Sequence, residues 1–284
     1  APGFTRFPLI IQYAEATKNP ETYGFSGSQG MVNLEGQLLR PDTPSDTALI
    51  FMHPATTLQL LPMPTALAKS GAHVICAASR YAKFDASLIM EKVACDMGAW
   101  VRHAREVMGY DKVVLCGWSG GASLSLFYQS QAENPTITET PAGDPWDLRE
   151  AGLTPVDGVM MIAASRARTL SEWIDPSVIN EADPDRRRRE LDIYDPKGAP
   201  RPPYTQDFIA EFRAAQIARI RRISAGARQR LEDLKKRGGA EYERAFVVHR
   251  TMADLRWLDP AVDPNDRTPG ICFLGDPEAA NVNP

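Results

Sequence analysis

Five short runs of unbroken apolar residues constrain this chain most. They are Thr47–Met52 (TALIFM), His73–Ala77 (HVICA), Val113–Cys116 (VVLC), Gly158–Ala163 (GVMMIA) and Gly270–Leu274 (GICFL). A strand with one wet face alternates apolar with polar residues. A strand with no polar position is buried on both faces, as the strands of a parallel sheet are. Between the second and third runs, Val93, Met97, Val101, Ala104 and Met108 keep helical spacing, with Asp85 as N-cap and Gly109 after the last turn. Ala122–Gln129 continues as a helix after the third run. Buried strands alternating with helices predict an α/β fold, a mostly parallel, doubly wound sheet covered on both faces. Ahead of these units, Met31–Leu39 partly alternates like an exposed antiparallel strand, and Pro41–Asp46 is a turn cluster.

Residues 166–267 differ in kind. They are rich in charge and broken by Pro176, Pro184, Pro196, Pro200, Pro202 and Pro203. Residues 206–237 form a long helical pattern, with Phe208, Phe212, Ala215, Ile220, Ile223, Ala227, Leu231 and Leu234 at i+3/i+4 spacing before Gly238-Gly239. The stretch reads as a helical insertion between the fourth and fifth strands. Arg186–Arg189 is flanked by acids and reads as a solvated surface. The expected division is a core over 1–165, a helical cap over 166–267, and a return to the core over 268–284 that continues beyond the given chain.

A net charge of −4 and pI of about 5.7 give no electrostatic footprint for nucleic acid or an anionic membrane. No apolar run approaches the ~20 residues of a membrane span. Cys76, Cys95, Cys116 and Cys272 lie apart in apolar neighbourhoods with no CxxC pair, so they read as reduced, buried, small hydrophobes. With no signal-peptide pattern, a cytoplasmic location is expected. Neither HExxH nor a His/Asp ligand cluster is present, and no Gly-rich phosphate loop, so no metal and no cofactor are expected.

The third run leads directly into Gly117-Trp118-Ser119-Gly120-Gly121 and then into a helix. A serine raised above a strand end needs a sharp, strained turn. Cβ atoms two residues before and after it would collide with the strand and helix, hence glycine at both places. The following helix aims its N-terminal N–H groups and positive dipole end at the site.

On GWSGG at 117–121 and the β–α order around it, the chain resembles the α/β-hydrolase superfamily of serine hydrolases. The resemblance implies the α/β-hydrolase fold with a helical cap, and Ser119 as nucleophile. It further implies an oxyanion hole built from the N–H groups of Gly120 and of Ala55, in Phe51-Met52-His53-Pro54-Ala55, where Pro54 replaces the usual Gly. His53 would orient that loop, and Ser79-Arg80-Tyr81 corresponds to a structural Arg-containing turn. The acid would follow the last run, with Asp276 first and Glu278 second. The superfamily's histidine should come later still, yet His53, His73, His103 and His249 all precede it, which motivates the expectation of a missing C-terminal part. His249 is a weaker candidate base. Trp118, Phe208, Phe212, Trp173 and Trp257, with His53 and His249, are candidate pocket residues, though aromatics such as Trp173, Phe208, Phe212 and Trp257 are more often plain core.

The implied activity is hydrolysis of a small or medium hydrophobic carboxylic ester or lactone through an acyl-enzyme. The alternatives are a C–C bond hydrolase of aromatic ring-cleavage products and, from another class, a non-catalytic binding protein. The implied partner is a small-molecule substrate, with no nucleic acid and no membrane; a homodimer is compatible with the sequence.

Overall fold

The computed structural model describes residues 3–15, 26–27, 30–83, 85, 88–164, 172–238, 246–259, 261–262 and 276–282. Internal contacts divide the chain into two units, Ala1–Ala167 and Arg168–Pro284.

The first unit is a seven-stranded sheet. Its strands are β1 (Thr5–Ala14), β2 (Ser26–Gly27), β3 (Met31–Arg40), β4 (Thr47–Phe51), β5 (His73–Ala77), β6 (Lys112–Trp118) and β7 (Gly158–Ile162). The order is β1-β3-β5-β4-β6-β7, with β2 beside β3. β5, β4, β6 and β7 run parallel, whereas β1, β2 and β3 join antiparallel. Four of the five apolar runs are thus the parallel strands; the fifth, Gly270–Leu274, lies outside the described residues. β3 is paired on both sides. Its alternation survives, with Val32, Leu34, Gly36 and Leu38 turned inward and Met31, Asn33 and Glu35 outward.

Helices α1 (Pro62–Lys69), α2 (Met90–Arg102) and α3 (Gly120–Glu133) cover the sheet. Val93, Met97, Trp100, Leu124 and Tyr128 from α2 and α3 pack with Leu34, Ile50, Ile75 and Leu115. Ala68 of α1 packs with Leu39, Phe51, Val74 and Cys116 on the other face. α2 starts later than the sequence predicts. Asp85 is not its N-cap: the Asp85 carbonyl accepts from Leu88 N–H in a turn, and extended Ile89 precedes the first helical residue. The helix closes with one wide turn, His103–Val107, and then Gly109 at φ +77°. That left-handed conformation is the reason for glycine there.

One buried polar cluster ties the unit together. Arg80, just past β5, has its guanidinium sealed from solvent between Glu15 and Asp96 at 2.6 and 2.8 Å. Tyr13 on β1 donates to Asp96 Oδ1 at 2.6 Å and accepts from Arg80 at 2.6 Å. Burial and the Asp96 carboxylate hold the Tyr13 hydroxyl protonated, far above its ordinary range.

In the second unit, α4 (Gln206–Arg237) spans the predicted helical pattern, capped by the Thr205 hydroxyl, which accepts from Phe208 N–H. Phe208 and Phe212 join Leu191, Tyr204, Ala253, Leu255 and Val262 in its core. The buried stripe then continues through two polar residues, Gln216 and Arg219, rather than through Ala215 and Ile220, which are half-buried. Gln216 donates to the carbonyls of Glu172 and Ile174, and Arg219 pairs with Glu181 at 2.8 Å. The arginine run is a surface of ion pairs: Arg187 with Asp192, Arg188 with Glu190 and Glu211, Arg189 with Asp195. A short helix α5 (Pro277–Val282) docks through buried Asn281, which bonds Met252 N–H and Asp175.

Without Asp96, Arg80 keeps Glu15, but the Tyr13 hydroxyl, the Arg80 N–H and one side of the guanidinium lose a buried acceptor. Asp96→Ala is therefore expected to destabilise the first unit by about 3–5 kcal/mol. Lys83→Ala, which breaks an exposed pair with Glu35, should cost less than about 1 kcal/mol. Urea denaturation followed by circular dichroism checks both.

Candidate active site

The parallel strands set where a site can form. The chain leaves β4 toward β5 on one side, and leaves β6 toward β7 on the other. At such a reversal the loops at the carboxyl ends of the two strands diverge and leave a crevice. The segments that meet there are the loop after β4, with His53, Pro54 and Ala55, and the turn after β6, with Ser119.

Ser119 has φ 53° and ψ −120°, a conformation that L-residues rarely adopt. Its N–H donates to Ile162 O at 3.0 Å, and its carbonyl accepts from Ala122 N–H. The strained residue is thus pinned to β7 on one side and to α3 on the other. The residue is half-buried. A Cβ on Gly117 would lie 2.3 Å from Ala122 Cα, and one on Gly121 would lie 2.3 Å from Met52 O. The first clash is with the helix start, as expected. The second is with the loop after β4, so Gly121 is what lets that loop approach the serine.

That approach brings His53 over the turn. A Cβ on Gly120 would stand 3.0 Å from His53 Nε2. The ring lies 6.2 Å from that of Trp118, centroid to centroid. Its Nδ1 accepts from Ala55 N–H at 3.2 Å. Burial lowers the His53 pKa below the ordinary imidazole value, partly opposed by Asp85. Gly120 is the first residue of α3, so its N–H is one of the donors a helix cannot satisfy internally. Ser79 Oγ donates to Pro54 O and fixes the loop from below. Ser119, Gly120, His53, Ala55 and Trp118 are therefore brought together in one unit.

The other histidines of this unit lie elsewhere. His73 begins β5 and His103 follows α2, in the connection that leads to the start of β6. His73 also has both ring nitrogens engaged, with Tyr110 and Thr43 O at 2.8 Å each. Burial pushes the thiols of Cys76 and Cys116 up to about 12 and that of Cys95 to about 11, so they stay protonated at neutral pH.

The remaining candidates belong to the second unit. Phe208 and Phe212 are buried in its core with ring centroids 5.8 Å apart. Trp257 is buried against Trp173 at 5.4 Å. These rings are engaged with one another as core. The His249 carbonyl accepts from Arg219. Asp276 is exposed at the head of α5, where its carboxylate accepts from Glu278 N–H at 3.0 Å. Among the described residues, no group of three or more His, Cys, Asp or Glu could hold a metal ion. Nor is any described helix long and apolar enough to cross a membrane.

Sequence reasoning named Arg80 but missed its partners Tyr13, Glu15 and Asp96. Asp96 carried a usable signal, a carboxylate beside the apolar positions Val93 and Met97.

The strand order, the helices on both faces and the strand–turn–helix around Ser119 make this the α/β-hydrolase fold. No family model and no curated protein matches the sequence. Solved structures similar to it include a bacterial heroin esterase (14% identity, TM-score 0.34, 61% of this chain and 47% of that one). Another is brefeldin A esterase, a bacterial homologue of human hormone-sensitive lipase (16%, 0.33, 73% and 51%). A third is Candida antarctica lipase A in its closed state (14%, 0.37, 62% and 42%). The chain thus spans about half the length of these enzymes or less.

If φ 53° at position 119 is strained, glycine should relieve it. Ser119→Gly is expected to be more stable than Ser119→Ala by about 1–3 kcal/mol. Gly121→Ala should lower stability by at least as much, while Gly158→Ala, whose Cβ meets nothing closer than 3.7 Å, should change it little. Denaturation midpoints of the four variants decide this.

Proposed function

We propose that the chain is a serine hydrolase acting on a small or medium hydrophobic carboxylic ester or lactone. The observation that carries the reading is Ser119 itself: a non-glycine residue held at positive φ between two sterically required glycines, at the mouth of a helix and at the carboxyl end of a strand, where α/β sheets bind ligands. Ala163 and Arg250 also take positive φ, so the reading rests on the strain together with the flanking glycines and the following helix.

In the proposed reaction, Ser119 Oγ attacks the ester carbonyl carbon and gives its proton to a base. The carbonyl oxygen becomes an oxyanion facing the Gly120 N–H. Collapse expels the alcohol, which takes the proton from the base, and leaves the acyl group on Ser119. Water then attacks the acyl carbon by the same route and releases the acid. A preorganised donor to the oxyanion contributes about 3 kcal/mol to each step. His73 begins a parallel strand and His103 leads into the start of another, whereas Ser119 follows a strand's carboxyl end, so the base is assigned outside these two histidines. Asp276 is proposed as the acid by its place in the sequence.

A fluorophosphonate probe tests the reading. Covalent labelling of Ser119, with hydrolysis of p-nitrophenyl butyrate, is expected in the wild type, and both should vanish in Ser119→Ala. Activity confined to a ring-cleavage dienone would replace the ester with a C–C bond hydrolase. No labelling and no turnover would favour a binding protein.

A further inference from the structure

We propose that the side chain of His53 is an oxyanion donor of this site, its Nε2–H standing in for the Ala55 N–H. The inference rests on the Ser119 reading and sharpens it.

The Ala55 N–H is already engaged, since it donates to His53 Nδ1 at 3.2 Å. Pro54 has no N–H to offer. The main chain therefore has no free donor at position 55, where the resemblance looked for one, and none at 54. The same bond that removes the Ala55 donor creates another. A ring nitrogen that accepts a hydrogen bond carries no proton, so a neutral imidazole must hold its proton on the other nitrogen. Burial favours the neutral ring, against the pull of Asp85. The proton is then on Nε2, and Nε2 is the atom that overhangs the turn, 3.0 Å from where a Gly120 Cβ would be. A neutral imidazole is a competent electrophile toward a developing oxyanion. Its partner is the Gly120 N–H at the head of α3.

This tautomer also rules His53 out as the base. An Nε2 that carries a proton cannot accept one from Ser119 Oγ, and Nδ1 is occupied. The loop is held in this arrangement from outside the site, by Ser79 Oγ on the Pro54 carbonyl.

Two variants separate the roles of the two ring nitrogens. An asparagine oxygen falls near Nδ1 and keeps an acceptor for Ala55, with no donor at the ε position. A glutamine nitrogen falls near Nε2 and keeps the donor, with no acceptor for Ala55. The measurements are kcat and KM for p-nitrophenyl butyrate and the rate of fluorophosphonate labelling, on the full chain, with His53→Ala as reference. The expectation is a loss of about 10²–10³ in kcat for His53→Asn and His53→Ala with KM nearly unchanged, and for His53→Gln a rate within about tenfold of wild type. Wild-type rates in His53→Asn, or a glutamine variant no better than alanine, would overturn the donor role and leave His53 as a loop support. Rates in all three variants as low as in Ser119→Ala would make the ring the base instead. If His53→Asn does not fold, His53→Gln alone decides by the same standard. A wild type that is never labelled at Ser119 would overturn the underlying hydrolase reading, a result distinct from every variant pattern.

Discussion

A guanidinium cut off from water has to be met by carboxylates and hydroxyls, and in the first unit that requirement falls on Arg80. Its partners come from residues 13, 15 and 96, distant in sequence, so the cluster can form only when β1, the end of β5 and α2 are all in place. A cluster so distributed enforces cooperativity: each element holds the others' charge satisfied. It also reaches the site. Ser79, next to Arg80, grips the carbonyl of Pro54, and Pro54 follows the histidine that lies over Gly120. The position of the loop beside Ser119 is thereby inherited from the interior of the sheet, one residue away from a set of buried contacts.

The second unit uses the same device along a helix. Arg219 on α4 donates to the carbonyls of Asp175, His249 and Arg250 as well as to Glu181. Arg250 and Asn281 converge on the Asp175 carboxylate. Segments that carry little regular structure of their own are gathered onto one long helix by bonds to their main chain. Such a scaffold tolerates the many prolines of this region, because its order comes from side chains reaching carbonyls and not from a ladder of strands.

What could be read from the residues follows from which signals are local. Four of the five runs lie in the sheet within a residue or two, but burial on both faces explains only the inner strands: β5 is buried throughout, whereas β7, last in the strand order, carries an equally apolar run with Met160 and Met161 exposed. The turn at Ser119 was legible because steric clearance fixes glycine at two set positions. The start of α2 was not, because Asp85 sits in a separate turn and the helix begins after Ile89 with no side-chain cap. The stripe of α4 was misread at Gln216 and Arg219, since periodicity looks for apolar residues and these positions are buried by satisfying their hydrogen bonds instead. The engagement of Ala55 by His53 was invisible for a further reason: the two residues are close in sequence, but their bond depends on how Pro54 bends the chain between them.

Gly121 against the Met52 carbonyl, and Gly117 against the first turn of α3, are contacts made by main chain alone. Nothing in them refers to the chemistry of a side chain. A turn framed in this way fixes the residue type at two positions and leaves the side chains around it free to vary without moving the serine.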